Sequence, residues 1–140
     1  MRILKHQNTY TMKVQIWANL GVKDVERTKA FYTKLGFKKN AGYESEELTS
    51  FIFDDDGFVI HFFKDNHLKK AMEGELSDLS KGNEIIFSIS AETVAEVDEW
   101  AEKVRAAGGN VFSPPKAFQG MYGCAFTDPD GHKFNILKWK

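Results

Sequence analysis

The sequence has one cysteine and three prolines in 140 residues, no long apolar run, and no surplus of either charge. The single thiol, Cys124, excludes an internal disulfide and fits a reducing compartment, so a cytoplasmic protein is expected. No stretch approaches the roughly 18 apolar residues of a membrane span. The opening residues MRILKHQNTYT also lack the apolar core of a signal peptide. Nineteen basic against twenty acidic residues leave a net charge of −1. A phosphate backbone needs a basic face, so no nucleic acid is expected as a partner. The charges are interspersed, which also excludes a membrane-surface helix. There is no Gly-rich phosphate loop, nucleophile elbow or Cys/His zinc spacing.

What the chain does have is flat apolar surface. Twelve Phe, four Tyr and three Trp bring the aromatic fraction to 14%, more than a small single core requires. Part of that surface is therefore available to line a cavity.

Periodicity divides the chain into elements. In Lys13–Leu20, Ile16, Ala18 and Leu20 alternate with Gln15, Trp17 and Asn19, which predicts a strand with those three on the opposite face. From Asp24 the period becomes helical. Val25, Thr28, Tyr32 and Leu35 share a face beside Phe31, with Asp24 as N-cap and Gly36 as stop. Phe37–Lys39, Leu48–Phe53 and Phe58–Phe63 read as strands, the last two joined by the turn Asp54-Asp55-Asp56-Gly57. Lys64–Gly82 reads as a polar linker with at most one helical turn. The pattern then repeats: a strand at Glu84–Ser90, and a helix opened by the Thr93/Glu96 capping box and closed by Gly108-Gly109. Val111-Phe112, Gly123–Thr127 and Lys133–Lys138 are the next strands. Pro114-Pro115 is expected to break the first two apart.

The repeat is the strongest feature. Phe53-Asp54-Asp55-Asp56-Gly57 matches Thr127-Asp128-Pro129-Asp130-Gly131, and an apolar strand follows each. The order strand, helix, three strands occurs twice, so each half needs the other to bury a face. The expected fold is α+β: a tail over residues 1–12, a βαβββ module over 13–66, a linker over 67–82 and a second module over 83–140. An ordinary ferredoxin-type α+β sandwich is the alternative.

These residues resemble the vicinal-oxygen-chelate superfamily, the glyoxalase/bleomycin-resistance/dioxygenase-like proteins. Val22-Lys23-Asp24 followed by Phe31-Tyr32-Thr33-Lys34-Leu35-Gly36-Phe37 is similar to its opening pattern. Phe126-Thr127-Asp128-Pro129-Asp130-Gly131-His132 is similar to its closing hairpin. The resemblance covers residues 13–139 and implies two modules forming a U-shaped mixed sheet around a cavity, in a homodimer. In metal-dependent members, ligands come from the first and last strands of the modules. Carried over, those positions are Trp17, His61, Glu84 and Asn135.

An indole offers a metal no lone pair, and an amide oxygen is a weak ligand. His61 and Glu84 alone fall short of the three protein ligands usual for catalytic metals, so no metal or other cofactor is expected. His61 and Glu84 then read as a paired couple in a semi-polar cavity, or as a general base (Glu84) with its orienting partner (His61). Trp17 is either core or a stacking wall, with Phe63 beside it. Asn19 and Tyr122 complete the candidate ligand-binding set. The aromatic, Gly-rich stretch Phe118–Gly123 reads as a cover over the cavity mouth, a strand-edge cover or a dimer contact. Cys124 reads as a buried structural thiol, and His6, His67 and His132 as solvated.

The expected function is binding of a small molecule in an aromatic-walled cavity without a catalytic metal. The alternatives are a metal-dependent lyase or dioxygenase using His61 and Glu84, and a drug-sequestering dimer of bleomycin-resistance type.

Overall fold

The computed structural model describes residues 13–139; the expected tail over residues 1–12 lies outside them. The first module comprises β1 (Ala18–Val22), α1 (Val25–Lys34), β2 (Lys38–Lys39), β3 (Leu48–Ile52) and β4 (Val59–Lys64). A connecting helix, α2 (Asp65–Met72), leads to the second module. That module holds β5 (Ile86–Ser90), α3 (Val94–Ala107), β6 (Asn110–Phe118), β7 (Met121–Thr127) and β8 (Lys133–Lys138). Each module forms its own four-stranded mixed sheet, in the matching orders β1-β4-β3-β2 and β5-β8-β7-β6. The first strand pairs parallel with the last, and the other pairs are antiparallel. The duplicated α+β architecture read from the sequence is thus the fold, as two hydrogen-bonded sheets.

The caps act where the sequence puts them. The Asp24 side chain accepts from Arg27 N at 3.1 Å, and Thr93 Oγ1 accepts from Glu96 N at 3.1 Å. Gly108, at φ 98°, ends α3 in the left-handed conformation that a Cβ disfavours. The two matching turns are built alike: Gly57 N donates to Asp54 O, and Gly131 N to Asp128 O.

Three expectations about elements need correction. β1 and β5 start later than the alternation suggests, because the ladder ends first. Ala18 pairs with Ile60 and Ile86 with Lys133, at the beginnings of β4 and β8, so residues before them have almost no strand opposite. Pro114-Pro115 does not break a strand but lies within β6, where the pairing register shifts between Val111 and Ser113 and again between Ser113 and Lys116. β6 is an edge strand, so the missing proline N–H groups need no partner on the open side. The linker carries a full helix: Leu68 of α2 is buried, Lys69 and Lys70 lie in its last turn, and Glu73 at φ 53° closes it.

One core serves both modules. Tyr32 of α1 stacks on Phe62 at 4.6 Å between ring centroids and also packs near Phe134 of the second sheet at 6.0 Å. Phe53 stacks on Phe134, which stacks in turn on Phe126. Phe31, Phe51, Phe62, Phe126 and Phe134 are at most 1% exposed, and each such ring contributes about 1.5–3 kcal/mol of burial. The hairpin before β8 fastens this core. Tyr32 Oη donates to Asp128 Oδ2 at 2.6 Å, while Asp128 Oδ1 accepts from the backbone of Asp130 and His132. Asp130 Oδ1 accepts from Lys23 N and from Arg27 Nη2 at the start of α1. His132, expected to be solvated, is buried with Nε2 at 2.7 Å from Gly21 O, because the turn is pressed against the end of β1 rather than exposed.

Candidate functional site

β1 and β4 run side by side with Asn19 opposite His61, and β3 adds Ser50 on His61's other flank. Side chains on alternating positions share a face, so Asn19, Ser50, His61 and Phe63 stand away from the helix-covered core. Trp17, one residue before β1, lies edge-on to His61 with ring centroids 6.2 Å apart. Phe63 is edge-on at 5.8 Å, and Tyr43, from the β2–β3 connection, lies over the same imidazole at 5.2 Å. Trp17 is 50% and Tyr43 49% exposed, so the rings form an open aromatic shelf around His61.

The imidazole is tied down from behind. His61 Nδ1 lies 2.7 Å from Ser50 Oγ, and Ser50 Oγ accepts from Asn40 Nδ2 at 3.1 Å. Ser50 is completely buried. Burial holds the His61 pKa below its ordinary 6.5, so the ring is neutral at pH 7. Ser50, Asn40 and Tyr43 escaped the sequence reading. Their relation to His61 depends on strand register and on the path of a loop, neither of which alternation reveals.

Glu84 sits elsewhere. It precedes β5, is exposed, and makes no hydrogen bond to His61, whose ring partner is Ser50. The expected His61–Glu84 couple is therefore not formed within the chain, because Glu84 lies past the end of its ladder. Glu84 and Asn19 instead help line a cavity of about 760 Å³ between the modules. Leu68 and Met72 of α2, Leu76 and Leu79 of the following segment, and Phe87 of β5 give it apolar walls. Asn19 belongs to both the shelf and the cavity.

Asn135 faces away from the helices on β8, between Ser88 and Ala125, and its Oδ1 is buried without a hydrogen-bond partner. Tyr122 is on the opposite face of its sheet, where its hydroxyl donates to Asp98 of α3 at 2.8 Å. It does not share a face with Asn135. The stretch Phe118–Gly123 is a tight hairpin rather than a lid: Phe118 pairs with Met121, and Gln119 and Gly120 both take positive φ. Cys124 is buried as expected, its thiol pushed up to about 11 by desolvation.

The donor set does not fit a catalytic metal. Among the described residues no three His, Cys, Asp or Glu side chains gather where one ion could bind them. Trp17 stands where a lone pair is needed, and Asn135 Oδ1 is enclosed.

The sequence from 14 to 136 matches the family model for the Glyoxalase/Bleomycin resistance protein/Dioxygenase superfamily. The fold is similar to that of the hypothetical protein SA1046 from S. aureus, with a TM-score of 0.80 and 32% identity over 96% of this chain and 98% of that one. A glyoxalase/bleomycin resistance protein/dioxygenase family enzyme from Burkholderia phytofirmans PsJN superposes with a TM-score of 0.75 at 21% identity, over 89% of this chain and 97% of that one. The fosfomycin resistance protein FosX from Listeria monocytogenes, solved with Mn(II), gives 0.67 at 19% identity over 93% of each chain. No curated protein matches.

Proposed function

The chain belongs to the glyoxalase/bleomycin resistance protein/dioxygenase superfamily, and from that premise we propose that it binds a flat, partly polar small molecule against the His61 shelf without a catalytic metal. The observation that carries this reading is the set of half-open rings, Trp17, Tyr43 and Phe63, held around one neutral imidazole. Stacking on such rings rewards a planar ligand, and the imidazole supplies one directional polar contact. Asn19 connects the shelf to the cavity at Glu84, giving the ligand a polar end to reach.

The proposal includes a homodimer. β1 and β5 are both edge strands, and exposed apolar side chains cluster along and before them: Ile16, Trp17, Ile85 and Ile86. A second copy covering these edges would turn the open shelf into a walled site. The free buried thiol of Cys124 accords with the cytoplasm.

Trp17 fluorescence tests the ligand reading. Planar aromatic amides and acids, titrated one by one, are expected to quench emission in the parent and not in Trp17→Phe. A panel that leaves every aromatic signal unmoved would overturn the proposal. Elemental analysis of protein purified without chelator is expected to show less than stoichiometric metal. One tightly held ion per chain, lost in His61→Ala, would favour the metal-dependent lyase or dioxygenase instead.

A further inference from the structure

We propose that Ser50 and Asn40 lock His61 as an Nε2–H donor, so that the shelf recognises a hydrogen-bond acceptor, a carbonyl or carboxylate oxygen carried on a flat ring. The inference rests on the shelf being the ligand site and adds which polar group that ligand must present.

A serine hydroxyl has one proton to give. Ser50 Oγ already accepts the amide proton of Asn40 Nδ2, and Ser50 is sealed from solvent. Among the described residues the acceptor left for its own proton is His61 Nδ1, at 2.7 Å. Were Nδ1 to carry the proton instead, Ser50 would accept twice and bury a hydroxyl hydrogen with no partner, a desolvation that nothing offsets. With Nδ1 accepting, the proton of the neutral ring sits on Nε2. That nitrogen makes no hydrogen bond to any described residue, and the shelf aromatics pack around its ring. An N–H there donates to an oxygen and has no lone pair for a metal. Metal-binding imidazoles use the reverse arrangement, donating from the far nitrogen so that the near one can ligate. Burial favours the neutral ring and so keeps the donor single and directional.

The tautomer can be read directly. In ¹⁵N-labelled protein at pH 7, long-range ¹H–¹⁵N correlation is expected to show His61 Nδ1 unprotonated and Nε2 protonated. Ser50→Ala should release the ring to exchange between tautomers, and Ser50→Thr, which keeps the hydroxyl, should restore the parent pattern. A proton on Nδ1 in the parent overturns the lock. For recognition, benzamide and benzoate offer neutral and anionic acceptors, while protonated benzylamine offers donors alone. Benzamide or benzoate is expected to shift the Nε2–H resonance and to bind up to about twofold more weakly to Ser50→Ala, in proportion to the share of rings that free exchange takes out of the Nε2–H form. Benzylamine binding as tightly as either overturns the acceptor rule. Trp17 quenching alongside an Nδ1–H tautomer would leave the ligand site standing and remove only this inference.

Discussion

Cys124, on β7, faces α3 and is 4% exposed, with its Sγ near Val97 O and its pKa pushed up to about 11 by burial. The thiolate is the reactive form, so this thiol is inert while the fold holds. An aromatic disulfide reagent at pH 7.5 is expected to label it only at the rate of unfolding, and at once in denaturant. Tyr32 gives a second test. Burial, with Asp128 alongside, holds its phenol well above the ordinary 10.0. An unfolded chain ionises that phenol near its ordinary value while the folded one does not. The stability it contributes is therefore complete below pH 10 and is lost as pH rises further. Tyr32→Phe is expected to flatten that alkaline loss and to cost about 1–3 kcal/mol at pH 7, since Asp128 Oδ2 loses its donor. Urea titrations at pH 7 and above pH 10 measure both effects. At this scale the sequence was half legible. Alternation placed Trp17, Asn19, His61 and Phe63 on one face, because period two is a local property. The partners of His61 and the burial of His132 were not legible, because both depend on residues brought together from distant parts of the chain.

Elements were easier to read than their edges. Both main helices carry their caps in the sequence, and both Asp-Gly turns repeat. Strand starts were overextended because a strand ends where its neighbour does. The helix α2 shows in the sequence only as a polar linker with at most one helical turn, although Leu68 and Met72 are four apart with basic residues in its last turn; it is too short for periodicity to stand out. Packing between elements makes sharper predictions than their propensities. A Cβ on Gly109, where α3 turns into β6, would lie 2.8 Å from Phe31 Cε1 and 2.9 Å from Thr127 O. Neither a core ring nor backbone gives way easily, so Gly109→Ala is expected to cost about 1–3 kcal/mol. Gly82 has open space around it and serves as the control, with Gly82→Ala expected within about 0.5 kcal/mol of the parent. Thermal unfolding of the two variants decides the comparison.

For the molecule as a whole, the proposed homodimer ties the edge strands to the site. Analytical ultracentrifugation is expected to show two chains per particle. Ile86→Lys, which puts a charge on an exposed apolar position of β5, should weaken the association by at least about tenfold, or 1.4 kcal/mol. A parent that sediments as one chain would remove the dimer from the proposal without touching the shelf. The duplication was legible because it repeats along the chain. The separate positions of the shelf and of Glu84 were not, since they follow from how two modules meet.

The hairpin before β8 has a consequence for how the protein is made. Its bonds to the first module span 96, 103, 107 and 111 residues of chain. During synthesis the first module leaves the ribosome with Tyr32 and the end of β1 still waiting for groups 96 to 111 residues further along the chain. Completion of the first module is thus deferred until the hairpin has been made, with slow closure of very long loops. A nascent chain arrested before Asp128 should remain sensitive to protease along its whole length, gaining resistance in a single late step.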